Sequence, residues 1–133
     1  MSTATATMTT QQVADHLVKL CRVGNFQGAV KDLYHQDIVS NEPVGAGPGP
    51  QRVQGFDAVL AKSVEWGKGV EEMHSAWVSD PIVAGNHFAV AMKMDVTMKG
   101  MGRINMDEIC VYEVTNGKIT TDRFFYPPMP SQN

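Results

Sequence analysis

The first half of the chain carries apolar residues at the spacing of amphipathic helices. Thr10 is a candidate N-cap, and the apolar residues that follow it at i, i+4, i+7 and i+8 spacing are Val13, Leu17, Leu20 and Cys21. Gly24-Asn25 is expected to end this helix, because glycine readily adopts the left-handed conformation found after a helix C-terminus. The same spacing predicts a second short helix over residues 26–33 and a third over residues 56–66.

From residue 73 onward the apolar residues alternate with polar ones, which is typical of strands that bury one face. Four long strands are predicted, over residues 73–84, 87–99, 103–114 and 118–126. Gly85-Asn86 and Asn116-Gly117 lie between the members of each pair, and both dipeptides favour the tight turns of β-hairpins. The second half of the chain is therefore predicted to be an antiparallel meander.

The order of these elements predicts one α+β domain. A short strand over residues 38–42 follows the second helix, and a Gly- and Pro-rich loop over residues 44–50 is long enough to act as a lid. Three N-terminal helices packed against one face of a curved antiparallel sheet would form a cone with an open end. The domain is expected over residues 10–127, between a tail at 1–9 and a C-terminal tail at 128–133.

Composition and charge exclude several classes of partner. The 133 residues include 11 Lys and Arg against 14 Asp and Glu, which gives a net charge of −3. The basic residues are scattered, so we expect no binding of nucleic acid and no attraction to an anionic membrane. No apolar stretch approaches the roughly 20 residues of a membrane span. The first residues lack the pattern of a signal peptide, so a cytoplasmic location is expected.

The cysteines and histidines do not indicate a metal site. Cys21 and Cys110 lie in apolar patterns far apart in the chain, so we expect buried free thiols rather than a disulfide. The four histidines are too widely separated to form a ligand pair. His74, at the start of the first long strand, is a candidate to line the mouth of the cone, and the alternative is a surface or interface position. The chain also lacks a phosphate loop and a dinucleotide fingerprint, so no cofactor is expected.

Glu108 is the unusual residue of the third long strand. Alternation places it on one face with Met106, Cys110 and Tyr112, and this apolar face is expected to point into the cone. Burial there would raise the pKa of Glu108, and the neutral acid could donate a hydrogen bond to a developing oxyanion. The alternatives are a pair with Arg123 across the hairpin or a place near the rim.

The Asn116-Gly117 turn leaves the register of the last hairpin open. A two-residue loop would put Arg123 on the same face as Glu108. A three-residue loop with a bulge would put Asp122, Phe124 and Tyr126 on that face instead.

Glu42 is a second candidate for acid–base chemistry. It follows polar residues at a strand end, and Pro43 fixes the chain after it. Two carboxyl groups in different environments of one pocket can divide the roles of base and acid, so Glu42 is the candidate base and Glu108 the candidate acid. The alternative for Glu42 is an ordinary carboxylate in solvent. The residues expected to contact a ligand are Met92, Tyr112, Phe124, Tyr126 and His74.

Several segments resemble the nuclear transport factor 2-like superfamily, and within it the SnoaL-like group. They are Gly24-Asn25-Phe26, Leu33-Tyr34, Asp37, Glu42-Pro43-Val44-Gly45, Gly55-Phe56-Asp57-Ala58-Val59, Glu108, Val114 and Gly117-Lys118-Ile119. The resemblance covers about residues 10–127 and implies a cystatin-like cone. It also places Glu42 where ketosteroid isomerases of this superfamily have a proton-shuttling Asp. The neutral-acid partner aligns most directly with Cys110, one inward step from Glu108, and Leu17 stands where those isomerases have an oxyanion tyrosine.

Two functions are therefore expected from the sequence. One is a cofactor-free isomerase, cyclase or hydratase/hydrolase that acts on an apolar, carbonyl-bearing small molecule. The other is a non-catalytic ligand-binding or dimerisation domain of the same fold. A homodimer is expected through the outer face of the sheet, where Ile109, Val111 and Ile82 would otherwise be exposed. The enzyme is favoured if Glu42 and Glu108 face one enclosed cavity within about 10 Å of each other, and the binding domain if either faces solvent.

Overall fold

The computed structural model describes residues 7–43 and 50–128. The helices are α1 (Thr10–Arg22), α2 (Phe26–Leu33) and α3 (Phe56–Gly69). The strands are β1 (Tyr34–Asn41), β2 (Arg52–Gln54), β3 (Val70–Val78), β4 (Ile82–Ala84), β5 (His87–Met98), β6 (Gly102–Thr115) and β7 (Lys118–Phe125).

The three predicted helices are present, with small changes at their ends. Thr9 rather than Thr10 is the N-cap of α1, and it forms a capping box with Gln12. Met8 packs against the core, although it belongs to the segment 1–9 that was predicted as a tail. Helix α3 continues past the predicted end at residue 66 to Gly69. In the part of the chain that is described, no helix is long and apolar enough to cross a membrane.

Within the described ranges, the strands form one seven-stranded sheet in the order β2-β1-β7-β6-β5-β3, with β4 paired to β5. This arrangement confirms the predicted fold class, three helices on a curved sheet, with one correction to the sheet itself. The sheet is mixed, because β1 runs parallel to β7 while every other pair is antiparallel. The two strands of the parallel pair are separated by most of the chain, and local patterns carry no signal for such a pairing.

The first predicted long strand is divided. Residues 73–84 were expected to form one strand, but β3 ends at Val78 and β4 begins at Ile82. Pro81 lies in the break, where it cannot donate a hydrogen bond to a neighbouring strand. The short strand expected at 38–42 is longer at its start and becomes β1, and the three-residue β2 pairs with it. Residues 44–49 of the predicted lid lie outside the described residues.

The register of the last hairpin, which the sequence left undecided, is that of a two-residue turn followed by a bulge. Asn116 and Gly117 form a two-residue turn with φ of 50° and 77°, and Thr115 pairs with Lys118. The pairing then shifts by one residue, because Val114 pairs with Ile119 but Glu113 pairs with Thr121. Thr120 is therefore a β-bulge, which reverses the faces of the residues that follow it. The bulge lies in the strand and not in the loop, and it turns Asp122 and Phe124 to the inner face.

The core fills the space between the helices and the inner face of the sheet. Its most deeply buried members include Val13, Leu17, Leu33, Ile38, Phe88 and Ile119. Cys21 and Cys110 also belong to this core as free thiols, which confirms the prediction for them. The core does not fill the whole interior, and the space that remains is the candidate site.

Candidate functional site

A cavity of about 230 Å³ lies between the helices and the inner face of the sheet. Its wall is mostly apolar, with contributions from Leu17, Val30, Met92, Met94, Trp66 and Phe124. Against this wall stand three carboxyl groups, those of Glu42, Glu108 and Asp122, and the ammonium group of Lys62. Among the described residues that line the cavity, Lys62 is the one cation. Charged groups inside an apolar wall interact more strongly than they would in water.

Glu42 lies just after the end of β1, and both of its carboxylate oxygens have donors. Oε1 is 2.5 Å from Nζ of Lys62, and Oε2 accepts a hydrogen bond of 2.6 Å from the hydroxyl of Tyr126. The side chain of Glu42 is only 15% exposed, so the carboxylate faces the cavity rather than solvent. Burial raises the pKa of the Tyr126 phenol, and its hydrogen bond to Glu42 adds to the rise.

Glu108 lies on the inner face of β6, directly opposite Met92 of β5. Burial raises the pKa of Glu108 from 4.5 to about 7, and the charges of Glu42 and Asp122 contribute in the same direction. A hydrogen bond of 3.4 Å from Sγ of Cys110 and the charge of Lys62 oppose this rise. Glu108 is therefore a carboxyl group that can hold or release a proton near neutral pH.

Asp122 is the most deeply buried of the three carboxyl groups, with 1% exposure. It accepts hydrogen bonds of 2.8 Å from the hydroxyl of Tyr34 and 2.6 Å from the hydroxyl of Ser40. Burial raises the pKa of Asp122 to about 6, although both hydrogen bonds act against the rise. These two donors explain how a carboxyl group is retained in the core.

Lys62 links Glu42 to Asp122 by way of Ser40. Its ammonium contacts Glu42 and donates a hydrogen bond of 3.3 Å to Oγ of Ser40, which in turn donates to Asp122. The same ammonium lies 5.6 Å from the centre of the Phe124 ring. Continuous contacts therefore run from Tyr126 through Glu42, Lys62 and Ser40 to Asp122.

Six of the seven predicted site residues line the cavity. They are Glu42, Glu108, Met92, Tyr112, Phe124 and Tyr126. Tyr112 stacks on Phe88 with ring centres 4.7 Å apart, and Phe124 meets Tyr112 edge to face. The aromatic wall is thus held by ring contacts as well as by strand pairing.

His74 is the exception and corrects the prediction that it lines the mouth. It is exposed, and its ring contacts Oγ1 of Thr97 at 2.7 Å and Glu72 at 3.2 Å. The pairing of β3 with β5 shifts between Met73 and Ser75, a local irregularity that the alternating pattern does not reveal. Arg123, the other partner considered for Glu108, pairs with Val111 and is exposed.

Sequence reasoning did not select Lys62, Ser40 or Tyr34, and it left Asp122 undecided. A signal for Lys62 did exist, because Val59, Ser63 and Trp66 lie on the same face of α3 at helical spacing and also line the cavity. Asp122 depends on the Thr120 bulge, which has no clear signature in the sequence. Over residues 7–43 and 50–128, no three His, Cys, Asp or Glu side chains are grouped to hold a metal ion.

Comparisons with known proteins agree on the family. The sequence profile of the SnoaL-like domain matches residues 8–126. A solved structure from Mesorhizobium loti, provisionally named a SnoaL-like polyketide cyclase, is 38% identical with a TM-score of 0.81 and covers 90% of this chain and 100% of its own. No curated protein matches significantly.

Two more distant structures share the fold. A provisionally named isomerase from Bacillus subtilis is 18% identical with a TM-score of 0.72, over 92% of this chain and 91% of its own. A protein with a ketosteroid isomerase-like fold from Catenulispora acidiphila DSM 44928, solved in complex with trimethylamine, is 14% identical with a TM-score of 0.68, over 89% of this chain and 87% of its own. With the profile match and the Mesorhizobium structure, these findings show that the chain belongs to the SnoaL-like family.

Proposed function

We propose that this protein is a cofactor-free acid–base enzyme, an isomerase, cyclase or hydratase/hydrolase, that acts on a small apolar molecule with a carbonyl group. The observation that carries the proposal is the pair formed by Glu42 and Glu108 in one apolar cavity. Both carboxylate oxygens of Glu42 have donors, whereas burial raises the pKa of Glu108 to about 7. Different environments of this kind divide the roles of base and acid between two carboxyl groups.

In the proposed reaction, Glu42 accepts a proton from the carbon next to the carbonyl group. The C–H electron pair moves into a C=C bond, and the carbonyl oxygen gains negative charge. Neutral Glu108 donates a hydrogen bond or a proton to that oxygen, and a pKa near the working pH suits a group that must both give and regain a proton. Return of the proton from Glu42 to another carbon completes an isomerisation.

The size of the cavity supports a compact substrate. Its volume of about 230 Å³ lies below the roughly 300–1,000 Å³ of typical sites for drug-sized ligands. Met92, Met94 and Met106 contribute flexible apolar side chains that adapt to an irregular shape. The provisional name of the Mesorhizobium loti relative, a SnoaL-like polyketide cyclase, supports a cyclase as one member of the proposed class.

Proton exchange tests the proposal without knowledge of the natural substrate. Small cyclic ketones are incubated with the protein in D₂O, and deuterium at the carbon next to the carbonyl is measured by NMR. We expect exchange with the wild type, its loss in Glu42→Gln and Glu108→Gln, and no change in Asp107→Asn, an exposed carboxylate on β6. Exchange that survives Glu42→Gln, or no exchange above background with any ketone, would contradict the proposal.

A second candidate function is ligand binding without catalysis. The observation in its favour is that each carboxylate oxygen of Glu42 already has a donor, an arrangement that an ion pair with a purely structural role would also have. Native mass spectrometry of the purified protein would identify a ligand that remains bound. Retention of that ligand, unaltered, by the wild type and by both glutamine variants would favour this function.

We also propose a homodimer through the outer face of the sheet. Ile109, Phe125 and Ile82 are 49%, 53% and 75% exposed, and Val111 lies beside Ile109 on β6. Exposed apolar side chains grouped on one face are common at interfaces between subunits. Light scattering after size-exclusion chromatography should report a dimer for the wild type and a monomer for Ile109→Lys. A monomeric wild type would refute this assembly.

A further inference from the structure

Lys62 has a position that ion pairing with Glu42 does not fully explain. It projects from α3 into the cavity, contacts Glu42 and Ser40, and lies over the ring of Phe124. Its side chain is 34% exposed, so it stands where the cavity meets solvent. A lysine that only stabilised the surface would be expected on the solvent-facing side of α3. Lys62 lies instead on the side of α3 that carries Val59 and Trp66 and lines the cavity.

We propose that Lys62 is a binding and catalytic residue, and that the cavity takes a ligand with an enolate-like or phenolate-like oxygen that contacts its ammonium. This inference rests on the proposed acid–base function. It adds the residue whose ammonium stabilises the negative charge on the substrate oxygen. The ligand class that follows is a compact ring with an acidic hydroxyl or an enolisable carbonyl.

The charges of the cavity mean that an anionic ligand would need a cation there. Three carboxyl groups, those of Glu42, Glu108 and Asp122, face one ammonium within an apolar wall. An anionic ligand that entered without a cationic partner would be repelled by these groups and would lose its hydration. Lys62 is the one side chain of the described cavity lining that can supply the positive charge.

Lys62 also balances the charge during proton transfer. Before the reaction, its ammonium pairs with the Glu42 carboxylate at 2.5 Å. When Glu42 takes the proton from the carbon of the substrate, the C–H bond breaks, an O–H bond forms on Glu42, and the negative charge moves to the substrate oxygen. Glu42 is then neutral, so the Lys62 ammonium can turn from it to the new oxyanion. The same cation therefore stabilises first the Glu42 carboxylate and then the oxyanion of the substrate. The tether to Ser40 and Phe124 keeps the ammonium in the cavity throughout.

A phenol provides a direct probe, because 4-nitrophenol changes its visible spectrum when it ionises. The protein is titrated with 4-nitrophenol at several pH values, and the absorbance reports both binding and the protonation state of the bound phenol. We expect the wild type to favour the bound phenolate by at least about tenfold over Lys62→Met. Lys62→Arg keeps the charge and should retain most of this preference. Lys68→Met is the matched control, because Lys68 lies on the same helix and pairs with Glu65 in solvent.

A second variant separates ligand binding from a structural role. Lys62→Met leaves the mostly buried Glu42 without its cation, and an unpaired buried charge by itself destabilises the fold. Glu42→Gln removes instead the anion that competes for Lys62, so phenolate should bind about tenfold more tightly than to the wild type. The double variant Lys62→Met/Glu42→Gln has no unpaired charge at this position, and it should again lose the phenolate.

The outcomes distinguish this inference from the proposed reaction. Equal phenolate affinity in the wild type and in the double variant would overturn the assignment of Lys62, as would weaker binding in Glu42→Gln. Phenolate binding that depends on Lys62, together with no deuterium exchange in any ketone, would support the anion site and reject the enzyme. Exchange that persists in the double variant would reject both the role of Lys62 and that of Glu42.

Discussion

Replacing Glu108 by glutamine should remove a large part of the pH dependence of this protein's stability. Glu108 lies on the apolar inner face of β6, where burial raises its pKa from 4.5 to about 7. Glutamine has nearly the same shape, keeps an oxygen that accepts from the Cys110 thiol, and carries no charge at any pH. The substitution therefore isolates the cost of ionising this single carboxyl group inside the fold.

The magnitude follows from the difference between the unfolded and folded pKa values. Between pH 4.5 and 7 the folded protein holds a proton on Glu108 that the unfolded chain has released, so the free energy of unfolding falls as the pH rises. One pKa unit corresponds to about 1.4 kcal/mol, so this shift corresponds to about 3 kcal/mol. The stabilising contribution is fully present below pH 4.5, and its loss is complete above about pH 7.

Urea unfolding at several pH values between about 5 and 8 measures this effect directly. The free energy of unfolding of Glu108→Gln should rise relative to the wild type as the pH increases, and the difference should level off above about pH 7. Glu71→Gln is the control, since Glu71 is an exposed glutamate on β3. Stability curves for Glu108→Gln and the wild type that stay parallel over the whole range would refute the burial of this carboxyl group.

Three further outcomes are expected. Tyr34→Phe removes a donor 2.8 Å from the buried Asp122, so it should lower the free energy of unfolding in urea by about 1–3 kcal/mol; an unchanged value would contradict the buried hydrogen bond. Gly117→Ala should lower the melting temperature more than Gly85→Ala. Both glycines have positive φ, but only at Gly117 would the new Cβ meet other atoms, 2.8 Å from Cγ2 of Thr7; equal losses would mean that this contact does not form. Cys110 should resist a thiol reagent near pH 8 until the protein is unfolded, because it is fully buried and burial raises the pKa of its thiol; reaction of Cys110 in the native state would show that the core opens.

Much of the fold could be predicted because its signals are local. The spacing of Val13, Leu17 and Cys21 predicts α1, and all three are buried in the structure. The Asn116-Gly117 turn predicts the last hairpin, since both residues adopt the positive φ that such turns require. The break at Pro81 was missed, because the apolar alternation continues on both sides of it. The parallel pairing of β1 with β7 joins distant segments and leaves no periodic trace.

In the candidate site too, local features could be predicted from the sequence and contacts between distant segments could not. By itself, the sequence determined that Glu108 is a carboxyl group on an apolar strand face, and alternation alone was sufficient for that inference. Only the tertiary structure decided that Glu42, Lys62 and Asp122 share its cavity. Lys62 is there because α3 packs across β1, and Asp122 is there because one extra residue at Thr120 reverses the faces of β7. A side chain's face is set by the local period, whereas its neighbours are set by the packing and register of elements distant in the chain.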